Sequence, residues 1–67
     1  MDGVIDMWYG DRFVPGKYYA DASFSGWGRY MYYGNIYDEN GNHVGVYRSN
    51  SLNWIENNFK IKWNDEQ

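Results

Sequence analysis

Apolar and polar side chains alternate without a break along KYYADASF (17–24). Tyr18, Ala20, Ala22 and Phe24 fall on one side, Tyr19, Asp21 and Ser23 on the other. A period of two is the signature of a strand with one buried face. Alanines between two aromatic residues leave room for something large to pack against the inward side. Upstream, GVIDMWYG (3–10) reads as a first strand bounded by glycines, with apolar residues on both parities that predict burial on both faces. DRFVPG (11–16) separates the two as a turn, because Pro15-Gly16 is a strong chain-breaking pair. SGWG (25–28) is a short, glycine-rich connection carrying Trp27.

Residues 29–51, RYMYYGNIYDENGNHVGVYRSNS, hold five of the eight tyrosines around one tight turn. Within DENG (38–41), Asp stands first, Asn third and Gly fourth. This order suits a type I turn followed by a left-handed glycine, the three-residue hairpin loop with a bulge. That register places Ile36 opposite Val44, Gly34 opposite Val46 and Tyr32 opposite Arg48. Its other face carries Tyr37 with His43, Asn35 with Gly45 and Tyr33 with Tyr47. A two-residue loop on Asn40-Gly41 is the competitor, and it sets Ile36 opposite Gly45 and Asp38 opposite His43. Slipping a strand by one residue exchanges its faces, so burial discriminates between them. The bulged register is favoured because it gathers Ile36, Val44 and Val46 on one side.

Beyond the hairpin the period changes. In SNSLNWIENNF (49–59), Leu52, Ile55 and Phe59 follow the spacing i, i+3, i+7, and Ser51 stands where an N-cap belongs. The pattern predicts a helix of about two turns near residues 51–58, ended by the poor helix formers Asn57 and Asn58. Trp54 lies beside the apolar stripe, a position of half burial. FKIKW (59–63) returns to alternation, with Phe59, Ile61 and Trp63 inward and Lys60 and Lys62 outward, as on a protected edge strand. NDEQ is a frayed tail.

The order is β-β-β-β-α-β in a single small domain, 1–67, of mainly β (α+β) class. This layout resembles the SH3-like barrels, tudor-type modules included. FVPGKYYA stands where such modules have their second strand, and GNIYDENGNHVGVY where they have their third-to-fourth hairpin. The ALYDY-like start and the proline near the final turn of SH3 domains proper are absent. The alternative is an open five-stranded antiparallel sheet with the helix packed across one face.

Composition narrows the chemistry. The chain has no cysteine, so neither a disulfide nor a thiolate metal site can staple it. Fifteen aromatic residues, 22% of the chain, are the means by which so short a sequence buries enough surface. The net charge of −3 comes without any block of like charges, and the cations are scattered. A basic stripe for nucleic acid is missing, so nucleic-acid binding is disfavoured by charge. No secretory leader and no apolar run long enough for a membrane span are visible, so no membrane is expected and cytoplasm is the default.

Catalytic and metal readings find little support. His43 is the only histidine, and a general base needs a nucleophile and an orienting group within reach. Asp38 and Ser49 are its conceivable companions, but the register does not bring both to it. Asp38, Glu39, Asn40 and Asn42 lack the spacing of a calcium loop, and turn chemistry accounts for them. The expectation is therefore no catalytic residue, no metal and no cofactor. What remains is binding. Tyr33, Tyr37, Tyr47 and His43, with Arg48 nearby, form an expected aromatic face, the kind of side chains that anchor interfaces. Trp27 either covers Ala20 and Ala22 as a lid or projects as a further anchor. The sequence thus points to a non-catalytic small binding module, an adaptor, subunit or inhibitor, that engages a protein partner. A homodimer using the same face and single-stranded nucleic acid stacking on its rings are the competing readings.

Overall fold

The computed structural model describes residues 2–24 and 31–63, with side chains described as far as Ile61. Strands β1 (Gly3–Trp8), β2 (Tyr18–Phe24), β3 (Tyr32–Tyr37) and β4 (His43–Ser49) precede helix α1 (Leu52–Asn58) and strand β5 (Phe59–Trp63). The protein is mainly β, in the predicted order. Its five strands form one sheet in the sequence β1-β4-β3-β2-β5, with β1 and β5 at its two ends. Three pairings are antiparallel, but β5 runs parallel to β2, so the expectation of a purely antiparallel sheet is corrected to a mixed one. The reason is the helix. Residues 50–58 carry the chain from β4 over the sheet, past β3, before β5 begins beside β2. No helix among the described residues is long and apolar enough to cross a membrane.

α1 starts where Ser51 predicts, the Ser51 hydroxyl accepting a hydrogen bond from the Trp54 N–H at 3.3 Å. It ends as the Phe59 N–H bonds the Ile55 carbonyl and Asn58 Nδ2 donates to the Trp54 carbonyl at 2.7 Å. Ile55 is buried, Leu52 and Trp54 are half-buried, and the helix packs on β4 and β5 from one side of the sheet.

That side holds the core: Tyr18 and Ala20 of β2, Ile36 of β3, Val44 and Tyr47 of β4, Ile55 and Phe59. A continuous series of rings runs through it. Trp8 meets Tyr18 edge-on at 5.0 Å, and Phe13 lies against Tyr18 and Phe59 at 5.8 and 5.7 Å. Phe59 in turn contacts Tyr47 at 5.4 Å and Trp54 at 5.9 Å. Much of the aromatic content is thus structural. Phe24, placed inward by the alternation of β2, is instead exposed at the end of its strand beside Tyr32.

The hairpin corrects the predicted register in one decisive place. The turn itself is as expected: Gly41 has φ of +88°, and Gly41 N–H bonds the Asp38 carbonyl at 3.0 Å. Tyr37 pairs with His43, also as expected. One residue later the register shifts, leaving Val44 as an extra residue. Ile36 then faces Gly45, Gly34 faces Tyr47, Tyr33 faces Arg48 and Tyr32 faces Ser49. The expected pairs Ile36 with Val44, Gly34 with Val46, Tyr32 with Arg48, Asn35 with Gly45 and Tyr33 with Tyr47 do not form. Val46 points away from the core and Tyr47 points into it.

Magnitudes explain the outcome. A tyrosine buries about 150–250 Å², a larger area than a valine can offer, and hydrophobic stabilisation grows with the apolar part of that area at roughly 25 cal/mol per Å². The hydroxyl that would offset this gain is satisfied, since Tyr47 Oη donates to the Asp21 carbonyl at 2.7 Å. A bulge also lets residues three apart share a face, so Val44 and Tyr47 are both buried. β1 repeats the device. Its register against β4 shifts at Asp6, which turns both Ile5 and Trp8 toward the core and sends Met7 outward. The two apolar parities of β1 therefore mark a bulge, not burial on both faces.

Candidate functional site on the open face of the sheet

The sheet face opposite α1 has no element packed on it among the described residues. The pairings arrange its side chains in three ranks across the strands. Val4, Arg48, Tyr33 and Ser23 form the first; Met7, Val46 and Asn35 the second; His43, Tyr37, Tyr19 and Lys60 the third. Large side chains stand out into solvent here: Met7 is 49% exposed, Tyr33 48% and Tyr19 45%.

Of the residues expected at a binding face, Tyr33, Tyr37, His43 and Arg48 are on this surface. Tyr47 is not. At 1% exposure its ring is a core element lying over Gly34, and burial, with the nearby Asp21 charge, pushes its phenol well above the usual range. Trp27 lies outside the described residues, as does its suggested lid over Ala20 and Ala22. Sequence reasoning did not assign Met7, Tyr19 or Asp21 to the site. The alternation of β2 already put Tyr19 and Asp21 on a common outward face, and that signal was available. Met7 was hidden by the bulge at Asp6.

Polar groups tie the ranks together. Asn35 Nδ2 and Tyr37 Oη both donate to Asp21 Oδ2 at 3.4 Å, and Asn35 Oδ1 lies 3.2 Å from His43 Nε2. A single proton arrangement satisfies this row: His43 Nε2–H to Asn35, and Asn35 to Asp21. Partial burial first, then the Asp21 carboxylate, raise the Tyr37 phenol above its usual value. Arg48 is held to Asp6 by two contacts, Nε to Oδ2 at 2.8 Å and Nη2 to Oδ1 at 2.9 Å. The bidentate geometry fixes the guanidinium plane, while its exposure limits what the pair adds to stability.

The hairpin turn bounds the third rank. Asp38 accepts from the Asn40 and Asn42 backbone N–H groups at 2.9 Å each and from Asn42 Nδ2 at 3.4 Å. These donors, the Asn42 backbone foremost, hold its carboxyl below the ordinary range, so it stays charged. Between turn and sheet lies an open groove of about 590 Å³, lined by Tyr19, Asp21, Tyr37, Asp38 and Glu39 among others.

The companions considered for His43 are both occupied elsewhere. Ser49 is buried on the helix side, its Oγ 2.8 Å from the Asp2 carbonyl and accepting from Ser51 N–H at 3.0 Å. Asp38 is engaged in its own turn. The imidazole instead contacts Tyr37 and Tyr9, with ring centroids 5.7 and 5.9 Å away. No group of three potential metal ligands converges among the described residues. What this arrangement can do is present a broad, amphipathic surface of rings, a thioether and a fixed guanidinium. No protein family, curated protein or solved structure matches the chain.

Proposed function

We propose that this chain is a non-catalytic protein-binding module that docks a partner across the open face of its sheet. One observation carries the reading: Met7, Tyr19 and Tyr33 are about half exposed on a face that no described element covers. Tyrosine, methionine and arginine are enriched at interfaces, where each offers a large contact area and tyrosine and arginine add a polar end. They also lose little conformational freedom when held by neighbours, as Arg48 is by Asp6. The net charge of −3 favours a partner with a basic surface.

The test places a photo-crosslinking amino acid at position 33, in cells of the source, with a second version at Asn53 on the exposed side of α1. Position 33 is expected to capture a discrete partner and position 53 none. Equal capture at both positions would reject the face. Tyr33→Ser is the matched loss-of-binding variant, because its side chain is half exposed and its stability cost is expected within about 0.5 kcal/mol. Two measurements decide between occupants of the same surface. Sedimentation over a concentration series reports a second copy. Quenching of tyrosine and tryptophan fluorescence by an oligonucleotide, weakened by salt, reports single-stranded nucleic acid.

A further inference from the structure

We propose that the groove between Tyr19, Tyr37 and Asp21 receives an arginine or lysine side chain from a basic segment of the docked protein. The inference rests on the docking reading above and names the chemistry of what is docked. Tyr19 and Tyr37 are direct cross-strand partners, and Asp21 follows Tyr19 by two residues on the same face. All three line the open groove, together with Asp38 and Glu39 of the turn.

Charge selects the occupant. The Asp21 carboxylate accepts from Asn35 and Tyr37 at Oδ2, and Oδ1 has no donor among the described side chains. An apolar ligand would strip water from that oxygen without replacing it, which is costly. An anion would meet Asp21, Asp38 and Glu39 together. A cation reverses both penalties.

A second observation is independent of the acids. The Lys60 ammonium already sits over the Tyr19 ring, 5.1 Å from its centroid. Lys60 approaches from β5, beside the groove, and shows that the Tyr19 ring accepts a cation through the electrostatic attraction of a positive charge to a π face. A guanidinium suits the site better than an ammonium, because its planar fork can donate to Asp21 while its flat face lies on a tyrosine.

The probe is acetyl-Gly-Arg-Gly-amide, titrated into the isotopically labelled full chain and followed by amide chemical shifts. Its neutral counterpart replaces arginine with citrulline, which keeps the shape and removes the charge. A charged hydrogen bond and one cation–π contact predict a dissociation constant on the order of millimolar. Shifts are expected to saturate and to centre on residues 19, 21, 37 and 39, with the citrulline peptide binding at least roughly fivefold more weakly. Asp21→Asn should weaken binding roughly tenfold. It spares the Asp21 backbone carbonyl that Tyr47 uses, so the fold is preserved and the spectrum checks this. Lys60→Ala should strengthen binding about two- to threefold by vacating Tyr19. Arg12→Ala makes the same change in net charge away from the groove and should have less effect.

Equal binding of the citrulline peptide, no saturation, or shifts of similar size at Asp2 and Glu56 would overturn the proposal. So would a crosslinked partner whose affinity is unchanged by Asp21→Asn, an outcome that leaves the docking face standing. Saturable arginine binding with no capture at position 33 would instead remove the docking face, and with it the partner as the source of the cation.

Discussion

Replacing Tyr47 with phenylalanine removes one oxygen and tests the least expected feature of the hairpin. The ring stays and keeps its contacts with Phe59 and Trp54. The loss is the hydrogen bond to the Asp21 carbonyl, 2.7 Å long in the wild type. That carbonyl is left in a partly buried setting without this donor, a defect worth about 1–3 kcal/mol. A chain of this length has a total stability of roughly 3–10 kcal/mol, so the loss is a sizeable fraction. At about 4–8 °C per kcal/mol for a domain this small, Tm should fall by roughly 4–24 °C. Urea unfolding, followed by near-ultraviolet circular dichroism, should show a lower midpoint with an unchanged slope, since the surface exposed on unfolding is the same. Tyr33→Phe is the control, expected to change stability by no more than about 0.5 kcal/mol because Tyr33 lies on the opposite, exposed face. If the two variants were equally stable, Tyr47 would not be a buried donor. The bulge at Val44, and with it the division of the tyrosines between faces, would then be wrong.

Three further outcomes are expected. Gly34→Ala should cost about 3 kcal/mol or prevent folding, because an added Cβ would lie 2.8 Å from the Asp21 carbonyl carbon and 3.0 Å from the Tyr47 ring; wild-type thermal stability in this variant would contradict that packing. Ser51→Ala should lower stability by about 1 kcal/mol through loss of the helix cap, read as a shifted urea midpoint, and an unchanged midpoint would mean the cap adds nothing. The protein should lose stability above about pH 10: the Tyr47 phenol is raised in the folded state, so the unfolded chain releases that proton first, and the stabilisation is complete below the unfolded value and lost as pH rises past it. Urea midpoints from about pH 9 to 11 should fall more steeply for the wild type than for Tyr47→Phe, and parallel curves would refute the assignment.

Much of this protein was determined by local patterns. The alternation of residues 17–24 and 59–63, the Ser51 cap with its Leu52, Ile55 and Phe59 stripe, and the Asp38-to-Gly41 turn each rest on interactions within a few residues. They can be read wherever those residues occur, and they fixed the element types, their order and the Tyr37–His43 pair. What local patterns did not decide is which face follows the turn. The two bulges, at Asp6 and Val44, cost a ladder position each and repay it only across strands, by half-burying Trp8 and burying Tyr47, which bond the Asp11 and Asp21 carbonyls. The same holds for the parallel placement of β5 beside β2, which depends on α1 crossing the face that these rings build. The composition of the binding surface was therefore a tertiary outcome. A one-residue shift, worth making only because a distant carbonyl receives a phenol, moved Tyr47 inside and left Tyr33, Tyr37 and Arg48 facing solvent beside Met7 and Tyr19.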